Sequence, residues 1–343
     1  MRRRRNDGGG CPPAGSPAVV WRRRRGRFVL DAYLIAHFRE KKTPDGEQVH
    51  FALSVDGYRW EPVNDGRPVL WSTQGDHGVR DPTIVRTPEG RFHILATDLS
   101  LANCFRTKYR GSWGVITREG SKCLSMWSSE DLVHWSAQRR IQLGDADFGC
   151  LWAPDVIYDR ERGDHLIHWS STHASNNFGP MAIYYTRTRD FETFDAPRLL
   201  CRKDDGGIID SAIYEDKGAY YRFLKSNAHP AAVVLETGRT LTGPHTRIPA
   251  FDEEMAKLAH PAYEGPTAFR LPDGRWCLLL DFFGVPGDGQ GYVPFVAEDL
   301  ASGRFVRADA AFRFPYGFKH GTVLPITAAE YGRIRNGPWP SGG

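Results

Sequence analysis

The sequence predicts an all-β protein, a single five-bladed β-propeller, and three observations carry that prediction. The composition favours strands and turns: 10 Trp, 13 Tyr and 19 Phe stand beside 36 Gly and 23 Pro in 343 residues. Aromatics suit strands, and Gly and Pro suit turns. A unit of short strands recurs along the chain with a period of about 55 residues, the arithmetic of a propeller with long loops. The first and last units are each incomplete, and each supplies what the other lacks. Hydrophobic residues at 41% and charged residues at 25% are ordinary for a globular chain, which excludes wholesale disorder. No run approaches the roughly 18–20 apolar residues of a membrane-spanning helix.

Residues 1–27 stand apart from this pattern. They hold nine arginines (2–5, 22–25 and 27) and one acid, Asp7, a charge of +8 within a total of +4, so the remainder of the chain carries −4. A mildly acidic body with a basic tail does not fit a nucleic-acid binder, whose cations spread over a folded face. The tail is therefore read as a disordered, Arg-rich extension, and residues 28–343 as the propeller. The stretch 11–20 (CPPAGSPAVV) is too broken by Pro and Gly to act as the apolar part of a secretory signal, so a cytoplasmic location is expected. Six scattered cysteines, with no C-x-x-C pair and no zinc-site spacing, read as free thiols.

Within 28–343, five apolar strands set the rhythm: 32–37 (AYLIAH), 92–98 (FHILATD), 165–171 (HLIHWSS), 219–225 (AYYRFLK) and 275–282 (RWCLLLDF). A hairpin follows each, most clearly at 49–60, 124–135 and 181–194, with D-G, E-D and R-D at the turns. Four of the five are preceded by a strand with a special opening: Arg80-Asp81-Pro82, Trp152-Ala153-Pro154, Ile209-Asp210-Ser211 and Glu264-Gly265-Pro266. A fifth opening, His320-Gly321, comes last. The steps between Asp81, Ala153, Asp210, Glu264 and His320 are 72, 57, 54 and 56 residues, and the surplus in the first fits an insertion at about 99–122. The last unit has only an inner strand and segment 28–63 lacks one, so together they complete a blade. Two stacked β-sandwiches are the competing architecture, since they share the short strands and turns.

Inner strands of a propeller run side by side in one direction, so Asp81, Asp210, Glu264 and His320 gather at one mouth of the channel. The long connections 38–47, 99–122, 172–180, 226–230 and 283–291 return to the same mouth, where function tends to sit. Clustered carboxylates suit glycosidic cleavage, in which one protonates the leaving oxygen and another activates water. A third can raise the acid's pKa by like-charge repulsion. Position alone offers Trp71 and His77, just before Asp81, as pocket wall, and Lys225, ending a second strand, as a contact to a sugar hydroxyl. Trp152 opens an inner strand, where it either stacks on a sugar ring or packs in the core.

The ordered set Arg80-Asp81-Pro82, Trp152-Ala153-Pro154-Asp155, Ile209-Asp210-Ser211, Glu264-Gly265-Pro266 and His320-Gly321 resembles glycoside hydrolase family 43, over about residues 30–327. That family comprises five-bladed arabinofuranosidases, xylosidases and arabinanases. The resemblance implies Asp81 as general base, Glu264 as general acid and Asp210 as the group that tunes and orients the acid. It also implies inversion at the anomeric carbon, with the base and acid carboxyls about 6.5–9.5 Å apart. His320 matches a histidine near the channel axis, beside substrate and often beside a calcium or sodium ion or water, and no cofactor is needed for the chemistry. The third motif departs from the pattern by reading Asp-Ser instead of Asp-Pro. The insertion at 99–122 is basic and aromatic (Phe105, Arg106, Lys108, Tyr109, Arg110, Trp113) and would narrow the mouth to a pocket. The expected function is an inverting, exo-acting glycoside hydrolase that removes terminal α-L-arabinofuranosyl or β-D-xylosyl residues from plant oligosaccharides or polysaccharides. The alternatives are a non-catalytic carbohydrate-binding or interaction propeller, and a related five-bladed furanosidase or glycoside phosphorylase, which would need a fructosyl substrate or phosphate.

Overall fold

The computed structural model describes residues 31–228, 232–259, 262–285 and 289–339, so the Arg-rich extension at 1–27 lies outside the described residues. Twenty described strands form five antiparallel sheets of four. In one, β20 (Lys319–Ile326) pairs with β1 (Ala32–Phe38), followed by β2 (His50–Ser54) and β3 (Glu61–Pro62). The next holds β4 (Val79–Arg86), β5 (Phe92–Asp98), β6 (Cys123–Ser129) and β7 (Arg139–Gln142). Then come β8 (Trp152–Asp159), β9 (Asp164–Ser171), β10 (Ala182–Thr188) and β11 (Arg198–Cys201). The last two sheets are β12 (Ile208–Asp216), β13 (Ala219–Ser226), β14 (Ala232–Gly238) and β15 (His245–Arg247), and β16 (Tyr263–Arg270), β17 (Trp276–Phe282), β18 (Gly291–Ala297) and β19 (Val306–Arg307). Each inner strand packs on the next, and β20 packs on β4, which closes a five-bladed ring. The propeller expected from the repeat is the observed fold, including the blade shared by the two ends of the described chain.

The second strands read as unbroken apolar runs because each is covered on both faces by neighbouring blades. Leu34 and Phe51 of one blade pack with Ile94 and Trp127 of the next. Further round, Leu95 and Met126 pack with Ile167 and Trp169, and Phe223 and Leu235 with Leu278 and Phe295. Each such side chain contributes roughly 1.5–3 kcal/mol when fully buried. The outer strands β3 and β19 are two residues long and exposed, and short edges resist pairing with other chains. Three hairpins share one device: Ser54, Ser129 and Thr188 accept N–H groups from Gly57, Leu132 and Phe191, while Asp56, Asp131 and Asp190 accept from the next two N–H groups. A side chain that hydrogen-bonds its own turn makes D-G, E-D and R-D equivalent here.

Every inner strand breaks its ladder at one place. The register shifts lie between Arg80 and Thr83, Trp152 and Asp155, Ile209 and Ala212, and Glu264 and Thr267, with the counterpart in β20 at His320-Gly321. Such bulges re-aim side chains. Asp81, Ala153, Asp210 and Gly265 take φ of +50°, +48°, +53° and +54° at these bulges. This corrects the sequence alignment: the residue equivalent to Asp81, Asp210 and His320 is Gly265, and Glu264 stands one place earlier, beside Arg80, Trp152, Ile209 and Lys319. Packing gives the reason, because a Cβ on Gly265 would lie 2.7 Å from His320 Cγ. Glycine meets both the close approach and the positive φ without strain.

The insertion folds as two short helices, α1 (Leu101–Cys104) and α2 (Trp113–Glu119), whose N-termini are capped by Ser100 and Ser112. Two more, α3 (Pro249–Met255) and α4 (Ala328–Arg335), lie outside the repeat. No helix among the described residues is long and apolar enough to cross a membrane.

Candidate active site

The bulges bring Asp81, Asp210, Glu264 and His320 into one electrostatic group at the mouth. Asp81 accepts from Thr97 Oγ1 at 2.9 Å and faces His320 Nδ1 at 3.4 Å. The Thr97 oxygen also accepts from the N–H of Ala153 at 2.8 Å, which ties neighbouring blades together beneath Asp81. Asp210 is held from both sides: its N–H donates to Ser170 Oγ at 3.0 Å, and its Oδ2 accepts from the Gly265 N–H at 3.1 Å. That second bond sets Asp210 against the residue that follows Glu264.

Beside this group lie two ion-paired sets of which the sequence reading had named only Arg80, and without a partner role. Arg80 donates to Glu47 at 2.8 Å and to Glu40 at 3.1 Å while its guanidinium covers the Phe38 ring. Lys319 donates to Asp281 at 2.8 Å and to Gln290 at 3.0 Å, and the His320 N–H donates to the other Asp281 oxygen at 3.2 Å. A signal for two of them was present. Arg80 and Lys319 occupy the same place before the bulge as Glu264, so a repeat aligned on Gly265 would have found them.

The protonation states diverge. Burial would raise Asp81, but the His320 hydrogen bond and charge, with Arg80 and Thr97, outweigh it and hold the carboxyl below its usual 3.8. Glu264 goes the other way: burial first, then the charges of Asp210 and Asp281, push it up to about 8 against the opposing pull of Lys319 and Arg80. Asp210 is raised to about 6, mainly by burial and then by Asp81. Burial would lower His320, but Asp81, Asp210 and Asp281 together raise it to about 9. Near neutrality this leaves an ionised Asp81 against an imidazolium, and a protonated Glu264. Two acids whose environments drive them apart can act as base and acid in one site.

The remaining candidates divide. Lys225 is buried, lies opposite Ile209 in the ladder and interacts with Glu264 and Asp210, so it belongs to the group. Trp152 is half-buried, edge-to-face with Trp113 at 5.9 Å, and packs on the cluster of Leu99, Tyr109 and Ile116. Of the two readings of Trp152, the packing one is thus observed. Trp71 is 39% exposed, and His77 is exposed, its carbonyl accepting from Gln48 and Asn103 and its N–H donating to the Gln74 carbonyl. Both lie on the segment that leads into β4 at Val79.

For a metal on His320, Nδ1 is already turned to Asp81 at 3.4 Å, which leaves Nε2 as the ring nitrogen that could face an ion or its water. Among the described residues no group of three or more His, Cys, Asp or Glu could hold a metal ion.

Asp81, Asp210, Glu264 and His320 thus form one interacting group on the inner strands of a five-bladed ring. The family model described as "Probable glycosyl hydrolase domain", related to glycoside hydrolase family 43, matches residues 29–332, and the chain belongs to that family. It is 25% identical over 289 residues to an α-L-arabinofuranosidase of Bifidobacterium longum subsp. longum, covering 71% of this chain and 26% of that protein. The chain thus spans about a quarter of that relative's length. Among solved structures, the fold is similar to xylan β-1,4-xylosidase from Bacillus halodurans (TM-score 0.55, 16% identity, covering 78% of this chain and 50% of that one). It is also similar to a family 43 protein from Bacillus licheniformis (TM-score 0.54, 15% identity, 91% and 56%).

Proposed function

We propose that the protein is an inverting, exo-acting glycoside hydrolase that removes terminal α-L-arabinofuranosyl or β-D-xylosyl residues from plant-derived oligosaccharides or polysaccharides. The observation that carries the reading is the opposed protonation of Asp81 and Glu264 within one mouth. In the proposed reaction Asp81 takes a proton from a water as that water's oxygen bonds to the anomeric carbon. Glu264 gives its proton to the glycosidic oxygen as the bond to the leaving sugar breaks. The water's oxygen joins the released sugar, one proton passes to Asp81 and one leaves Glu264, so the charge on the enzyme returns after a single exchange with solvent. Asp210 keeps Glu264 protonated, His320 keeps Asp81 ionised and fixed, and Lys225 and His320 offer donors to sugar hydroxyls. Side chains and water supply every step.

The helical insertion that walls one side of the mouth supports removal of terminal sugars, and the arabinofuranosidase relative supports a pentofuranosyl substrate. The deciding experiment follows hydrolysis of 4-nitrophenyl α-L-arabinofuranoside and β-D-xyloside by proton NMR in the first minutes. Inversion gives the β-anomer of arabinose or the α-anomer of xylose before mutarotation. Appearance of the retained anomer would overturn the mechanism, and no turnover of these or of oligosaccharides would leave a carbohydrate-binding propeller.

A further inference from the structure

Trp113 opens α2 on the insertion and is 48% exposed, more than any other described aromatic side chain among the large exposed hydrophobics. Isolated exposed hydrophobics are ordinary on protein surfaces, but this one is fixed and close to the carboxylates. Its ring meets Trp152 edge-to-face, centroids 5.9 Å apart at 83°, and is flanked by Phe105 at 5.9 Å. Trp152 precedes Ala153, whose N–H bonds to the Thr97 hydroxyl that donates to Asp81. A ring contact, the Trp152–Ala153 peptide and two hydrogen bonds therefore link Trp113 to Asp81.

The helices that carry Trp113 are anchored in two blades. On one side Tyr109 and Lys108 both bond Asp76 at 2.7 Å, and the Ala102 N–H donates to Glu47 at 3.0 Å. On the other, the Gly120 N–H and Lys122 Nζ both bond the Gly149 carbonyl, and Thr172 Oγ1 donates to the Thr117 carbonyl. An aromatic face held this way meets a ligand with little ordering cost.

We propose that Trp113 and Trp152 form an L-shaped aromatic corner that takes the leaving sugar, the ring adjoining the one cleaved, and so select an oligosaccharide over a simple glycoside. The proposal rests on the hydrolase reading. The face of a sugar ring is apolar while its hydroxyls point outward, so an exposed indole face suits it while water serves the hydroxyls. Two perpendicular rings fix its tilt as well as its plane.

The test is calorimetric and kinetic. In a Glu264→Gln background, α-1,5-arabinotriose and β-1,4-xylotriose are titrated with and without Trp113→Ala. The better-bound trisaccharide should weaken about tenfold, and Trp113→Phe, which keeps a ring, should recover most of the loss. In the active enzyme Trp113→Ala should raise KM for that trisaccharide about tenfold while kcat changes less. The corresponding glycosyl fluoride, whose leaving group has no ring, should show a clearly smaller rise. An equal rise on both substrates, unchanged trisaccharide affinity, or no trisaccharide binding to the parent overturns the proposal. An enzyme that binds the trisaccharide through Trp113 yet cleaves no glycoside instead overturns the hydrolase reading and leaves the platform standing.

Discussion

Replacing Asp210 with Asn isolates one electrostatic effect. The amide keeps the shape of the carboxyl and an oxygen that accepts the Gly265 N–H bond, at 3.1 Å in the parent, but removes the charge that ranks directly after burial in raising Glu264 to about 8. A carboxylate neighbour within about 4–6 Å shifts a pKa by about 1–3 units, and Asp281 and burial remain in place, so a fall of about 1–2 units is expected. At about 1.4 kcal/mol per unit, this is about 2 kcal/mol of differential stabilisation. Glu264 acts in its protonated form, so activity is lost as pH rises through its pKa. The alkaline limb of kcat/KM, measured from about pH 2.5 to 10, should therefore move from near 8 in the parent to about 6–7 in the variant. The acid limb belongs to Asp81, which acts ionised and is held below 3.8, so it should stay in place. A variant that loses rate while its alkaline limb remains near 8 would refute the electrostatic role and leave Asp210 an orienting group.

Three further outcomes are expected. Asp81→Asn should lower kcat by about 10²–10⁴ on every substrate, since a missing general base affects water attack whatever leaves; steady-state rates with 4-nitrophenyl glycosides and oligosaccharides check this. Glu264→Ala should cost about as much on an oligosaccharide but far less on a 2,4-dinitrophenyl glycoside, whose leaving group departs without a proton, and equal losses would remove Glu264 as the acid. Gly265→Ala should destabilise by about 1–3 kcal/mol in urea unfolding, from its φ of +54° and the contact with His320. It should also raise the acid limb, because a displaced His320 no longer holds Asp81 ionised.

What could be read from the sequence followed how locally it was encoded. The second strands were plain because burial on both faces demands unbroken apolar runs, as in Phe92–Asp98. The joint blade followed from counting strands at the two ends. The bulges were not visible, since positive φ at Asp81, Ala153 and Asp210 leaves no compositional trace, and Glu264 was consequently set one place off. Glu47, Asp281 and Lys319 were missed because a charge paired with residues some 29–55 positions away looks like any surface charge until the blades are assembled. The helix at 328–335 did carry a signal, the Thr327–Glu330 capping box, which a reading intent on strands passed over.

Ring closure through β20 has a consequence for biosynthesis. The strand that latches onto β1 also carries Lys319 and His320, so the cation facing Asp81 emerges from the ribosome after the other nineteen described strands. A nascent propeller lacking it has Asp81 without its imidazolium partner and two unsealed blade edges. Latching and completion of the Asp81–His320 pair are then one event, and a chain cut short before residue 319 should be unclosed and, on the proposed mechanism, inert.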